Sequence, residues 1–116
     1  MSFNKIIIVG HIGQEPRINT ANGKTVANYS IATTYKAGST EETIWFSCVS
    51  WEKQAEFIQK YVGKGTMLYV EGRLRMSKYT DNQGQERMTP EVIVSNVQLL
   101  SKAAAGNAID DDDMPE

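Results

Sequence analysis

The sequence predicts an all-β fold, a small barrel of five strands with one helix, and three observations support this class. Apolar and polar residues alternate with the period of a β-strand over most of the first hundred positions. Clusters of Gly, Asn and Pro divide this alternation into separate strands. One segment, residues 52–62, changes to a helical period between the third and fourth strands. An Ig-like sandwich has a similar strand count, but the single mid-chain helix favours the OB-fold, a partly open Greek-key barrel.

Residues 4–12 are predicted to form the first strand, because four consecutive β-branched residues fill its centre. Gly10 and Gly13 are interpreted as turn residues at its end. Residues 14–24 then contain Pro16 and an Asn-Gly pair, which are typical of turns. We therefore expect a turn-rich connection to the second strand.

The second and third strands are predicted at residues 25–35 and 43–50, on either side of a polar loop at 36–42. The former alternates large and small side chains, as a strand with one buried face does. The latter is rich in aromatic and β-branched residues, which favour strands. Together they predict an antiparallel pair that ends where the helical period begins.

The helix is predicted over residues 52–62, where Ala55, Ile58 and Val62 fall on one face. Ser50 is the predicted cap at its start, since a serine hydroxyl can accept a hydrogen bond from a free backbone N–H. Gly63 and Gly65, which follow this segment, are typical of a helix end.

The fourth strand is predicted at residues 66–79, a hairpin tip at 80–85 and the last strand at 89–100. Alternation divides the fourth strand into two faces. The apolar face, predicted to point into the core, carries Leu68, Val70, Leu74 and Met76. The opposite face carries Tyr69, Glu71, Arg73, Arg75, Ser77 and Tyr79.

Composition limits the class of protein. The 116 residues are enough for one domain and too few for two cores of ordinary size. Apolar runs are too short to span a bilayer, and the chain start lacks the pattern of a secretory signal. One cysteine, Cys48, excludes an internal disulfide, and with a single histidine, His11, it cannot form a conventional zinc site. We expect a soluble protein of the cytoplasm that holds no metal and no cofactor.

The net charge of −2 is divided unevenly along the chain. Residues 103–116 contain five acidic residues and no basic one, whereas residues 1–102 contain 12 basic and 9 acidic residues and carry +3. Consecutive aspartates repel one another and stay solvated. We therefore expect a folded domain at 1–102 and a short disordered linker and acidic tail at 103–116. The tail is interpreted either as a solubilising end or as an interaction segment that binds a partner or the domain's own basic surface.

The polar face of the fourth strand indicates the ligand. Two arginines, Arg73 and Arg75, lie between two tyrosines, Tyr69 and Tyr79, and this pattern suits an extended polyanion with unstacked bases. In the third strand, Trp45 and Trp51 have the same parity, so a regular strand would place both indoles on one side. The residues predict a surface for single-stranded nucleic acid.

No comparable signal indicates an enzyme. Cys48 and His11 could form a nucleophile and base, but no motif orients them, and a cysteine in an apolar strand is usually an inert core thiol. The body of the chain has neither a phosphate-binding loop nor grouped carboxylates. We predict a binding protein without catalytic residues, and a small Cys48-dependent enzyme is the alternative from another class.

Several motifs, in the same order, resemble those of the bacterial single-stranded DNA-binding protein (SSB) family. They are NKIIIVGHIGQEP at 4–16, VAN and IAT within 26–33, TIW at 43–45, YVGKG at 61–65, YVEGRLR at 69–75 and KYTDNQG at 78–84. The resemblance covers residues 3–100. It implies an OB-fold that coats and protects single-stranded DNA, independently of its sequence, in replication, recombination and repair. It also implies a homotetramer in the cytoplasm, associated with the nucleoid. A primosome-type accessory that mainly bridges proteins is the alternative within this fold.

The resemblance also assigns residues. Trp45, Trp51 and Tyr79 stand where the family places aromatics that stack on bases, Tyr35 lies near another such position, and Tyr69 matches a further family aromatic. The basic or phosphate-contact positions are Lys5, Lys53, Arg75, Lys78 and Arg87, and Arg73 joins them from the polar face of its strand.

The tail resembles the acidic tip through which the family docks replication and repair proteins. The matching residues are Asp110, Asp111, Asp112, Asp113, Met114 and Pro115. Glu116 stands where the family has a terminal phenylalanine, so the expected docking segment lacks its aromatic anchor.

Overall fold

The computed structural model describes residues 1–102, which form six strands and one helix. The helix α1 is Lys53–Tyr61. The strands are β1 (Ile6–Ile12), β2 (Arg17–Ala21), β3 (Lys24–Ala37), β4 (Thr40–Trp51), β5 (Met67–Thr80) and β6 (Glu86–Ser101). Within these residues, no helix is both long and apolar enough to cross a membrane.

The strands close into a barrel. Their order is β1-β5-β6-β4-β3-β2, and β1 also pairs with β3, so that the two ends of the sheet meet. All neighbouring pairs are antiparallel except β4 and β6, which run parallel at Cys48↔Val92 and Val49↔Ile93. Apart from β2, this is the five-stranded Greek-key arrangement of the OB-fold that the sequence predicts, with the helix in the expected place.

The core fills the barrel with aliphatic side chains from every barrel strand and from the helix. Its largest fully buried members are Ile12, Ile31, Ile58, Leu68, Val70 and Val92. One polar pair is buried among them: the hydroxyl groups of Tyr29 and Ser50 are 2.7 Å apart and share a hydrogen bond. Burial raises the pKa of Tyr29 far above its ordinary value, so this phenol stays protonated.

The helix covers one end of the barrel. Ala55 and Ile58 are buried against the core, as the helical period predicts. The predicted cap is wrong: the residue before the helix is Glu52, and no side chain caps it. Ser50 is unavailable because its hydroxyl is buried against Tyr29. Val62 follows the last helical residue, and its N–H donates to the carbonyl of Ile58.

Two segments predicted as loops contain strands. Residues 17–21 form β2, which pairs with β3 through a tight turn at Asn22-Gly23 where both residues have positive φ. The segment 36–42, predicted as a loop, is instead a turn around Gly38, because cross-strand pairing continues to Ala37↔Thr40. Backbone pairing therefore extends beyond the positions where apolar alternation is visible in the sequence.

Two hairpins project from the same end of the barrel. The first arm is residues 34–43 and the second arm is residues 74–90; because β4 and β6 run parallel, their turns lie at the same end. Leu74 and Met76, predicted as core residues, are 38% and 50% exposed. They lie on the core-facing side of β5, but this part of the strand extends beyond the barrel, where no other element of residues 1–102 buries them.

Candidate nucleic-acid interface

The two tryptophans lie on the outer side of β4. Its pairing with β3 is regular throughout, so Trp45 and Trp51 share one face of the strand. Both indoles are accessible, at 58% and 40% exposure. Cys48 and Ser50, of opposite parity, are buried. The rings are thus held on a rigid strand while one part of each stays open to a ligand.

Trp45 rests against the backbone that follows β1. A Cβ built on Gly13 would overlap the Cζ3 atom of this indole and lie 2.5 Å from its Cη2 atom. Gly13 therefore provides the space that the ring occupies. Gly10, which the sequence suggests is a turn residue, lies inside β1 instead, where a Cβ would overlap the carbonyl of Ala32. Each glycine allows a close approach rather than a turn.

The polar face of β5 continues the surface that carries the tryptophans. Arg73 lies opposite Ile93, and Ile93 lies beside Val49, which is on the same side of β4 as Trp45 and Trp51. Arg75 and Tyr79 extend this side of β5 along the second arm, and Tyr79 lies opposite Arg87. We call this surface the tryptophan–arginine face; it comprises Trp45, Trp51, Arg73, Arg75, Tyr79 and Arg87.

Ion pairs partly neutralise the predicted phosphate contacts. Arg75 Nε lies 3.4 Å from Glu91, Arg87 Nε lies 2.9 Å from Asp81, and Lys5 Nζ lies 3.1 Å from Glu71. The pKa of Asp81 is held below its ordinary value by the hydrogen bond from Arg87, and that of Glu71 by the one from Lys5. Within residues 1–102, Arg73, Lys53 and Lys78 form no ion pair, so their charge is uncompensated.

Tyr35 and Lys78 lie off the tryptophan–arginine face, although both are well exposed. Tyr35 has the parity of Ile31, on the core-facing side of the first arm. Lys78 lies opposite Met88, on the core-facing side of the second arm with Met76. A ligand that touched all of the predicted residues would have to pass around the arms as well as across the barrel.

Tyr69 and Lys5 lie on a third region, where β1 covers β5. Tyr69 is half-buried and lies opposite Val9, and Lys5 is held by Glu71. Loss of hydration, followed by the adjacent Glu71 carboxylate, raises the pKa of Tyr69. Ile7 and Val9 beside them are 54% and 44% exposed. The structure thus separates these two residues from the tryptophans and places them next to exposed aliphatic side chains.

The enzyme hypothesis receives no support from Cys48. Its side chain is 2% exposed, and burial raises the pKa of the thiol to about 12. A thiol with this pKa has almost no thiolate at neutral pH and is a poor nucleophile. His11, by contrast, is exposed on β1. Among the residues that the structure describes, no group of three or more His, Cys, Asp or Glu could hold a metal ion.

The comparison with known proteins decides the family. Residues 3–100 match the single-strand binding protein family. The chain belongs to this family. Two relatives, each called single-stranded DNA-binding protein, illustrate the match. The protein of Bacteroides thetaiotaomicron is 39% identical over 113 residues, which are 90% of this chain and 70% of the relative. The protein of Rickettsia typhi is 41% identical over 103 residues, which are 82% of this chain and 68% of the relative.

A solved structure of the family gives the same fold. The Plasmodium falciparum SSB, determined in complex with single-stranded DNA, superposes with a TM-score of 0.80 at 32% identity. The match covers 87% of this chain and 97% of the Plasmodium chain. It confirms both the OB-fold and the family resemblance that the sequence motifs indicate.

Part of the predicted site lies outside the described residues, and the structure adds two residues to the rest. The tail residues, from Asp110 to Pro115, lie outside the described residues. Gly13 and Glu91, which the structure places against Trp45 and Arg75, were missed by reasoning from the sequence. Only the tertiary pairing of distant segments brings these residues to the interface.

Proposed function

We propose that this protein binds single-stranded DNA without strong sequence preference and thereby coats and protects it in replication, recombination and repair. The observation that carries the proposal is the tryptophan–arginine face, where exposed rings and basic side chains lie on the same side of one sheet. Family membership and the DNA-bound Plasmodium relative support it. No observation favours the alternative of a protein-bridging accessory.

The binding mechanism combines stacking with charge. A base stacked on an aromatic side chain contributes about 1–3 kcal/mol, and every base offers a ring face, so stacking tolerates any sequence. Trp45, Trp51 and Tyr79 are each at least 40% exposed and supply these rings. Arg73, which has no ion pair within residues 1–102, supplies positive charge beside them. Affinity should fall with salt, because binding releases counterions from the phosphates.

We assign the remaining predicted residues to the edges of this path. Lys53 begins the helix beside Trp51, while Tyr35 and Lys78 lie on the core-facing sides of the two arms. The full proposed set is Lys5, Tyr35, Trp45, Trp51, Lys53, Tyr69, Arg73, Arg75, Lys78, Tyr79 and Arg87. Neither a metal nor a cofactor nor a catalytic residue enters the mechanism.

Intrinsic fluorescence tests the proposal directly, because the chain contains only two tryptophans. Trp51→Phe leaves Trp45 as the reporter, and Trp45→Phe leaves Trp51. Titration of each variant with oligothymidine should quench the remaining indole, and the quenching should weaken as salt is raised. If both variants bind oligothymidine to saturation and their fluorescence does not change, stacking on the tryptophans is contradicted. Absence of binding at low salt would reject the DNA-coating function.

We also propose that the protein assembles as a homotetramer. The support is the exposed aliphatic pair Ile7 and Val9 on β1, next to the half-buried Tyr69. Among residues 1–102, residues 6–10 of β1 pair only with β5, so the other edge of this part of the strand is available to a further strand. Light scattering after gel filtration should give four times the chain mass, and Ile7→Lys should lower it. A monomer at micromolar concentration would refute this assembly.

We further propose that residues 1–102 are the DNA-binding domain and that residues 103–116 are a linker and acidic tail that contacts replication or repair proteins. This activity would place the protein in the cytoplasm, with the nucleoid. Deletion of residues 103–116 tests the role of the tail. Equal affinity for oligothymidine at low salt is expected if the tail serves partner proteins. A gain in affinity would show that it competes with DNA for the basic surface.

A further inference from the structure

A polar cavity of about 280 Å³ opens on the outer side of the barrel, and its lining includes Ser47 of β4, the strand that carries Trp45. Gln14 and Glu15 line it from the β1–β2 connection, and Glu91 lines it from β6. Gln14 directly follows Gly13, on which the Trp45 ring rests. Ser47 lies two residues beyond Trp45 on the same face of β4, and so only about 7 Å away along the strand.

Four of the lining residues form two cross-strand pairs. Ser30 lies opposite Ser47, and Asn28 lies opposite Arg17. Within residues 1–102, the side chains of Ser30, Ser47 and Asn28 make no hydrogen bond, although each carries a donor and an acceptor. These groups are therefore free to bind a ligand that offers both kinds of partner.

The charged residues that line the cavity indicate which class of ligand it can bind. Two carboxylates, Glu15 and Glu91, line the cavity with one cation, Arg17, and Arg75 compensates Glu91, so the lining offers no excess positive charge to a phosphate. Glu15 already accepts the N–H of Lys64, and Glu91 is held by Arg75 at 3.4 Å, which fixes both carboxylates in place. A nucleobase edge with an amino group suits this lining, since a carboxylate accepts readily from the N4 amino group of cytosine.

We propose that the cavity is a base-edge pocket, in which the base stacked on Trp45 is read and an amino-bearing base, cytosine, is preferred over thymine. The inference rests on the proposed function and deepens it. Cytosine presents an amino donor where thymine presents a carbonyl oxygen, and thymine would bring that oxygen towards Glu91. The preference acts at one nucleotide, and stacking and phosphate contacts elsewhere remain independent of sequence.

The test compares an all-thymine oligomer with one that contains a single cytosine, both at one length and one salt concentration. The wild-type protein should bind the cytosine-containing oligomer about threefold to tenfold more tightly, as expected for one added hydrogen bond. Glu91→Gln and Asn28→Ala should bring the ratio of the two dissociation constants close to one. The ratio is the decisive readout. Glu91→Gln also releases Arg75, but this changes the affinity for both oligomers together and so leaves their ratio unaffected.

Glu86→Gln is the matched control. It removes the same charge from the same strand, but Glu86 lies opposite Thr80 at the end of the second arm and outside the cavity. In this variant, the ratio of the two dissociation constants should equal that of the wild-type protein. Equal affinity of the wild-type protein for both oligomers would overturn the pocket alone, as would a cytosine preference that persists in both cavity variants. Failure to bind either oligomer would overturn the proposed function as well.

Discussion

Replacement of Gly13 by alanine should weaken DNA binding without unfolding the protein. A Cβ at this position would lie 2.5 Å from Cη2 of Trp45, and ordinary contact begins at 3.4 Å. The indole must therefore move by about 1 Å to restore van der Waals separation. Since Gly13 is not among the residues with positive φ, alanine fits its backbone conformation.

The expected loss follows from the stacking energy. A displaced Trp45 ring should lose part of the roughly 1–3 kcal/mol that one base contributes, so we expect a loss of about 1 kcal/mol, or about fivefold in affinity. The melting temperature should stay the same or rise slightly, because alanine restricts the unfolded chain more than glycine does. By contrast, a Cβ at Gly72 would overlap the carbonyl of Ile93, which cannot move aside, so Gly72→Ala should destabilise the fold.

A double-mutant cycle separates the two explanations of any loss. Gly13→Ala is made in the wild-type protein and in Trp45→Ala, and both pairs are titrated with oligothymidine by anisotropy. If Gly13 acts through the ring, its substitution should have no effect once the indole is absent. Wild-type affinity of Gly13→Ala, or an equal loss in the Trp45→Ala background, would refute the positioning role of Gly13.

Four further predictions concern charge, the second arm, the core and the thiol. Arg73→Ala should reduce the slope of log affinity against log salt by about 0.7, whereas Arg75→Ala, whose charge Glu91 compensates, should change it less; equal slopes in these two variants would contradict the charge assignment. Because the pKa of Asp81 is lowered in the folded arm, its stabilising contribution is present at neutral pH and is lost as pH falls below about 4; an NMR titration of the tip amides should therefore give a pKa lower than the ordinary value, and a normal one would argue against the ion pair. Ile58→Ala should lower the free energy of unfolding in urea by about 2–5 kcal/mol, since this side chain is fully buried, and a loss under 1 kcal/mol would place it outside the core. Cys48→Ala should retain DNA affinity, and its loss with the fold intact would revive a role for the thiol.

The sequence predicts the barrel well because its evidence is local. Alternation along β4 and β5 and the change of period at α1 are each visible within a dozen residues. The short β2 is missed because its five residues, RINTA, include a single large apolar side chain. The exposure of Leu74 and Met76 is missed for a related reason. Alternation gives the side of a strand on which a residue lies, but not whether another layer covers that side.

The site depends on contacts between residues far apart in the chain, and Arg73 and Arg75 show why these are hidden. The two arginines have the same parity on β5 and appear equivalent in the sequence. Glu91 compensates one of them because a bulge between Glu71 and Gly72 sets the register of the arm. A slip of one residue would place Arg75 opposite Val92, and the carboxylate would leave the outer face. One irregularity in pairing therefore determines both which arginine is free for phosphate and whether Glu91 reaches the polar cavity.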